Sequence, residues 1–172
     1  AYVVDQLQLS DLLHHMIAGG PTPVAPFSHA TEVNGFVFLT GQMPTDPNDD
    51  QKPLPEGIEA QTRRVMDNLI LILKGLDLTL ADVVQCRIYL TEFQRDYAVM
   101  NETYVQYFHP GKLPARTTIG VTGLAVGALV DIDMVARRVG GSEGVGTIGV
   151  GGRWMPAFAG GTGKELSLMP VS

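Results

Sequence analysis

The 172 residues carry 12 Lys+Arg against 18 Asp+Glu, a formal charge of −6, with 45% hydrophobic and 17% charged residues. That is the composition of one globular domain able to bury a sizeable core, which excludes a chain disordered throughout. The single cysteine, Cys86, excludes an internal disulfide framework and a cysteine-rich zinc site. No apolar run reaches the ~18 residues of a membrane span, and an acidic chain with scattered Lys and Arg makes a poor nucleic-acid surface.

In chain order, Gln6 to His15 reads as a short helix with Leu7, Leu9, Leu12 and Leu13 on its apolar side, within a leader of residues 1–15. Met16 to Ala18 is more strand-like, and Met16 is a candidate native start. The first twenty residues lack Lys and Arg, hence the basic region of a signal peptide, so the expected location is cytoplasmic. Ser28 to Val33 and Phe36 to Thr40 flank Asn34-Gly35, a hairpin signal because both turn positions need positive φ. A polar loop from Pro44 to Pro55 follows. Between Ile58 and Lys74, Thr62, Val65, Met66, Leu69, Ile70 and Leu73 recur at three- and four-residue steps, which predicts a helix ended by a left-handed Gly75.

Thr79 is placed to cap a turn before the strand Val83 to Leu90, where Val84, Cys86, Ile88 and Leu90 alternate with Gln85, Arg87 and Tyr89. Cys86 thus reads as core rather than nucleophile, with no histidine near it in the pattern. A second helix is expected from Asp96 to Phe108, striped by Tyr97, Met100, Asn101, Tyr104, Val105 and Phe108, and closed by Pro110-Gly111. Strands Ala115 to Val121 and Leu129 to Val135 complete the body, residues 16–138. The order β-β-α-β-α-β-β predicts an α+β fold with both helices on one face of a single sheet. The other face is then wet or covered by a partner, and the bulky polar Gln85, Arg87 and Tyr89 suit a subunit interface.

Residues 139–172 form a glycine-rich tail holding ten of the 20 glycines. Gly144-Val145-Gly146-Thr147-Ile148-Gly149 matches G-x-G-x-x-G, but the following Val150 to Pro156 cannot open the helix that a dinucleotide site needs. The tail is therefore read as chain packed on the body or loose, not as a nucleotide site. The histidines His14, His15, His29 and His109 do not converge, so no metal site is expected.

The chemistry-bearing segment is Leu113-Pro114-Ala115-Arg116-Thr117-Thr118, with Val130-Asp131-Ile132-Asp133 after it. Arg116 opens a strand after a proline turn, where its guanidinium could fork onto a carboxylate ligand or pair with Asp131 or Asp133 next door. The two aspartates share one strand face, suited to orienting a water or to plain solvation.

Phe36 to Pro44, with the run Thr40-Gly41-Gln42-Met43-Pro44, resembles the hydrophobic-S/T-G-Q-x-P segment of the Rid (reactive intermediate deaminase, YjgF) family. Asn68-Leu69, Met100 to Tyr104, Pro114 to Thr118 and Val130 to Asp133 continue the match in order. The resemblance implies a chorismate-mutase-like fold, a homotrimer with ligand clefts between subunits, and cofactor-free hydrolysis of enamines and imines such as 2-aminoacrylate or 2-iminobutanoate to 2-keto acids and ammonia. It implies that Arg116 holds the substrate carboxylate, that Thr118 helps place the water, and that Asp131 assists that water. It further implies that Phe27, Gly41 and Asn101 line the substrate site. Three positions depart from the family pattern: Asp131 stands for a glutamate, shorter by roughly one C–C bond of 1.5 Å, Phe27 for a tyrosine, and Thr118 for a frequent cysteine. These departures admit a bulkier substrate, including a 2-aminomuconate-type dicarboxylate. They also admit a trimer that binds 2-keto acids without turnover. The ribonuclease activity reported within the family is opposed by the acidic balance.

Overall fold

Asn34 and Gly35 both hold positive φ, 52° and 76°, the backbone of a tight hairpin turn, and from this turn the sheet is built. In the computed structural model, which describes residues 11–139, the hairpin joins β2 (Ala30–Val33) to β3 (Phe36–Gln42). Four further strands are β1 (Leu13–His15), β4 (Val83–Leu90), β5 (Ala115–Gly120) and β6 (Val130–Arg137). The helices are α1 (Gly57–Gly75) and α2 (Phe93–Val105).

The strands form one sheet in the order β1-β2-β3-β6-β4-β5. All pairs are antiparallel except β4 with β5, which run parallel across the α2 crossover. The last strand in sequence, β6, thus inserts between β3 and β4. Both helices cover one face, as expected for an α+β fold. Val65, Met66, Leu69 and Ile72 of α1 and Met100 of α2 pack, fully buried, on Val37, Ile88 and Ile132 of the sheet. Two buried side chains on α1 tie loops to this core. Gln61 donates to Pro55 O (3.0 Å) and accepts from Leu129 N (2.8 Å). Asn68 donates to Met43 O (3.1 Å) and Thr45 O (2.9 Å), clamping the segment that follows Gly41.

Four expectations change. Leu13 to His15 is a strand paired to Glu32, Thr31 and Ala30, not the end of a helix; a short helix would leave the β2 edge unpaired. The strand expected at Met16 to Ala18 lies three residues earlier, and the Ile17 N–H goes instead to His29 Nδ1 (2.8 Å). Gly75 is not left-handed: the chain reverses at Asp77, φ 56°, and Gly75 is required because a Cβ there would strike the Ile17 side chain. Val84 faces out, 42% exposed, because the register shifts between Val83 and Gln85 and a bulge puts Val83 into the core in its place.

The second helix also begins and ends three residues before the predicted span, and Asp96 and Thr103 are buried on it while Tyr97 and Val105 are exposed. Thr79 caps as predicted, in a reciprocal box with Asp82. Gln6 to Ser10 and the tail from Gly140, with its G-x-G-x-x-G run, lie outside the described residues. Among the described residues no helix is long and apolar enough to cross a membrane, and no group of three metal-ligating side chains converges.

Candidate active site

Pro114 keeps the chain extended into the edge strand β5, so the side chains of Ala115 to Gly120 alternate from a fixed start. In the parallel register Arg116 lies beside Cys86 and Thr118 beside Ile88, which puts both on the helix-covered face. There α2 supplies two supports for the guanidinium. Asn101 Oδ1 accepts from Arg116 Nη1 at 2.7 Å, and the Tyr104 ring lies beneath the guanidinium, 5.1 Å from centroid to Cζ, a cation–π distance. Nε and Nη2 of Arg116 have no partner among the described residues. Asn101, Tyr104, Val105, Leu113 and Pro114 surround a cleft of about 330 Å³ that Arg116 also lines. The Thr118 hydroxyl is buried and makes no hydrogen bond among the described residues.

Arg116 therefore does not pair with Asp131 or Asp133, the alternative left open by the sequence. Asp133 is taken by Arg87, whose Nε lies 2.9 Å from Oδ1 and 3.1 Å from Oδ2, and by the Tyr89 hydroxyl at 3.1 Å. Asp131 sits on the same outer face, opposite Tyr89 on β4. Its Oδ1 is buried without a hydrogen bond among the described residues. Burial, and secondarily the Asp133 charge, raises its carboxyl from 3.8 to about 6, into the range useful to an acid–base group at neutral pH.

Gly41 explains how Asp131 fits. Leu39 pairs Met134 and Gln42 pairs Ile132, so two β3 residues, Thr40 and Gly41, oppose the single Asp133 in a bulge. Bulges of this kind re-aim a strand beside a site. A Cβ on Gly41 would collide with Asp131 Oδ1 and stand 3.1 Å from its Cγ. Thr40 also holds the preceding loop, its Oγ1 donating to Ser28 O at 2.6 Å and its N–H to His29 O at 3.0 Å. Phe27, half-buried, ends that loop one residue away.

The six sequence-selected residues thus fall into two groups. Arg116, Thr118 and Asn101 meet on the helix-covered face at β5. Gly41 and Asp131, with Phe27 at the end of the adjoining loop, belong to β3 and β6. Asp131 and Arg116 lie on opposite faces of the sheet with β4 between their strands, so one chain does not bring them together. The sequence places Tyr104 on the helix stripe and in the Met100 to Tyr104 motif but assigns it no role. Its position three residues after Asn101, on the same helix face, was the signal that it shares the arginine's surroundings. Cys86 is core, as expected: it is fully buried, its thiol is pushed up to about 11 by burial, and it is inert as a nucleophile.

Residues 18–138 match the family described as Endoribonuclease L-PSP. A RutC family protein of Pyrococcus horikoshii is 37% identical over 119 residues, covering 69% of this chain and 91% of the relative. Among solved structures, RidA from the Antarctic bacterium Psychrobacter is 31% identical with TM-score 0.66, covering 72% of this chain and 99% of that one. E. coli TdcF with bound serine is 25% identical with TM-score 0.66, covering 72% and 98%. The match spans the strands and helices that carry both residue groups, and the chain belongs to the Rid (YjgF, Endoribonuclease L-PSP) family.

Proposed function

We propose that the protein hydrolyses reactive 2-imino and enamino acids, of the 2-aminoacrylate or 2-iminobutanoate type, to 2-keto acids and ammonia. The observation that carries this reading is the state of Arg116. It is held by Asn101 and Tyr104 rather than by an acid, and its Nε and Nη2 are left free at a cleft. Two parallel donors in that fork match a carboxylate.

The reaction adds water to the C=N carbon of the protonated imine. The water oxygen bonds to that carbon, one water proton passes to Asp131, and the carbinolamine then collapses to C=O. The protonated Asp131 returns that proton to the carbinolamine nitrogen, which leaves as ammonia while the hydroxyl gives up its proton to Asp131, and this last proton converts ammonia to ammonium. Arg116 neutralises and orients the carboxylate. Asp131, with a buried oxygen that meets no hydrogen-bond partner among the described residues, is the base that orients and deprotonates the water, and Thr118, whose hydroxyl likewise meets none among them, helps place it. Gly41 provides the space Asp131 occupies, and Asn101 fixes the arginine.

Because the Arg116 and Asp131 groups lie on opposite faces within one chain, the proposal requires a second copy to supply one of them, in a homotrimer. Phe36, Phe38 and Ile119, on the sheet face without helices, are 42%, 46% and 45% exposed, an apolar surface suited to burial between copies. The basic side chains weigh against an RNA surface: Arg63, Arg64, Arg87, Arg95 and Arg138 are each engaged by an acid, whereas backbone-phosphate binding needs clustered free cations.

The test is release of 2-keto acid from enzymatically generated 2-aminoacrylate or 2-iminobutanoate. Arg116→Ala should abolish it, and full activity in that variant would end the assignment. Wild-type chain that binds 2-keto acids through Arg116 yet accelerates nothing would identify a binding trimer instead.

A further inference from the structure

We infer, on the reading above, that the site selects 2-imino acids bearing a leucine-sized apolar side chain over three-carbon 2-aminoacrylate, and that Val105 and Leu113 make that selection. Of the six residues that line the arginine cleft, Arg116 alone is charged. Val105 lies one helical turn beyond Asn101 and next to Tyr104, at the end of α2. Leu113 precedes Arg116 by three residues, with Pro114 stiffening the chain between them. These two aliphatic side chains stand 48% and 54% exposed, so neither is spent on the core of its own chain.

A ligand whose carboxylate takes the free donors of Arg116 brings its Cα substituent into a space of about 330 Å³ with aliphatic walls. That volume lies at the lower end of ligand sites, roughly 300–1,000 Å³, and it leaves room for several carbons. A three-carbon enamine has no substituent long enough to cover Val105 or Leu113. An isobutyl group removes apolar surface from water on both partners. A second carboxylate, as in an aminomuconate-type dicarboxylate, would meet aliphatic walls with no second cation among the lining residues, and stripping its water there is costly. The cleft thus favours the apolar monocarboxylate. One methylene in an apolar pocket changes specificity by roughly 10-fold or more, so a leucine-sized chain should gain at least about that factor.

The experiment compares kcat/KM of the full chain for imines generated in place by an amino-acid oxidase from alanine, 2-aminobutyrate and leucine, with 2-keto acid release as the readout. The leucine-to-alanine ratio is expected to exceed about 10 in the wild type and to fall roughly 10-fold in Val105→Ser and in Leu113→Ser. Leu71→Ser, on the outer surface of α1 away from the cleft, should leave the ratio unchanged. A second arm measures calorimetric binding of 4-methyl-2-oxopentanoate against pyruvate. It reads the same preference without turnover, so loss of catalysis alone refutes the deaminase reading and not the cleft's selectivity. A wild-type ratio near one in both arms overturns the inference. So does an equal fall for all substrates with dissociation of the oligomer, which would make Val105 and Leu113 subunit contacts instead.

Discussion

Asp131→Asn separates the two consequences of burying a carboxylate, one for stability and one for catalysis. The group is raised from 3.8 to about 6, first by burial and then by the Asp133 charge. About two units correspond to about 3 kcal/mol between the protonated and ionised forms. Water and local relaxation around a half-buried carboxylate trim this, so about 1–3 kcal/mol is expected. The folded chain binds this proton more tightly than the unfolded chain does. The contribution therefore favours folding below pH about 4 and is lost as pH rises through about 6.

Asparagine has the same shape and does not titrate. At pH 8 the variant should be more stable than wild type by about 1–3 kcal/mol, with Tm higher by roughly 3–10 °C. The gap should close towards pH 4. Both proteins are melted at one chain concentration, because assembly shifts Tm by mass action. In the same preparation, wild-type kcat should rise through pH about 6 as Asp131 ionises, whereas the variant should be flat and lower by roughly 10²–10⁴-fold. Greater stability with lost activity is the mark of a group kept for function. A variant less stable than wild type at pH 8 would refute the reasoning, since the carboxylate would then have a partner worth more than its desolvation.

Two predictions concern the packing of α1. Asn68→Ala removes both donors to Met43 O and Thr45 O and should cost about 2–4 kcal/mol, at roughly 1–3 kcal/mol for each group left unsatisfied. A urea midpoint reads that loss, and an unchanged midpoint would show that the loop carbonyls find water. Gly75→Ala sets a helix-propensity gain of up to about 1 kcal/mol against overpacking onto Ile17 of about 1–3 kcal/mol. Net destabilisation is expected, turning to stabilisation when Ile17→Ala makes room. A destabilising Gly75→Ala in both backgrounds would place the requirement for glycine elsewhere.

The Rid body was legible because local signals agreed along it. Asn34-Gly35 demanded a hairpin, the three- and four-residue spacing from Thr62 to Leu73 demanded a helix, and alternation from Val83 to Leu90 demanded a strand with Cys86 inward. Arg116 and Asp131 stand out by their chemistry, and Phe27, Gly41, Asn101 and Thr118 by the family resemblance, but their neighbours were not legible, because a motif carries residue types and not faces. Arg116 could equally have met Asp131 or Asp133. The insertion of β6 between β3 and β4, and the parallel register that sets Arg116 beside Cys86, decided that it meets Asn101 and Tyr104 instead.

Errors fell where a tertiary contact overrode a local preference. The helix expected to run through His15 gave way at Leu13 to His15 to pairing on the β2 edge, and Gly75 proved to answer to Ile17 rather than to its own φ. The sequence by itself determined composition class and most element types and offered the site's candidate functional groups, since these follow from periodicity and side-chain chemistry. Only the tertiary structure decided that the Arg116 guanidinium and the buried Asp131 carboxylate lie on opposite faces of one sheet. Sidedness depends on strand order and on a two-residue bulge at Thr40-Gly41, and both are set by pairings between residues far apart in the chain.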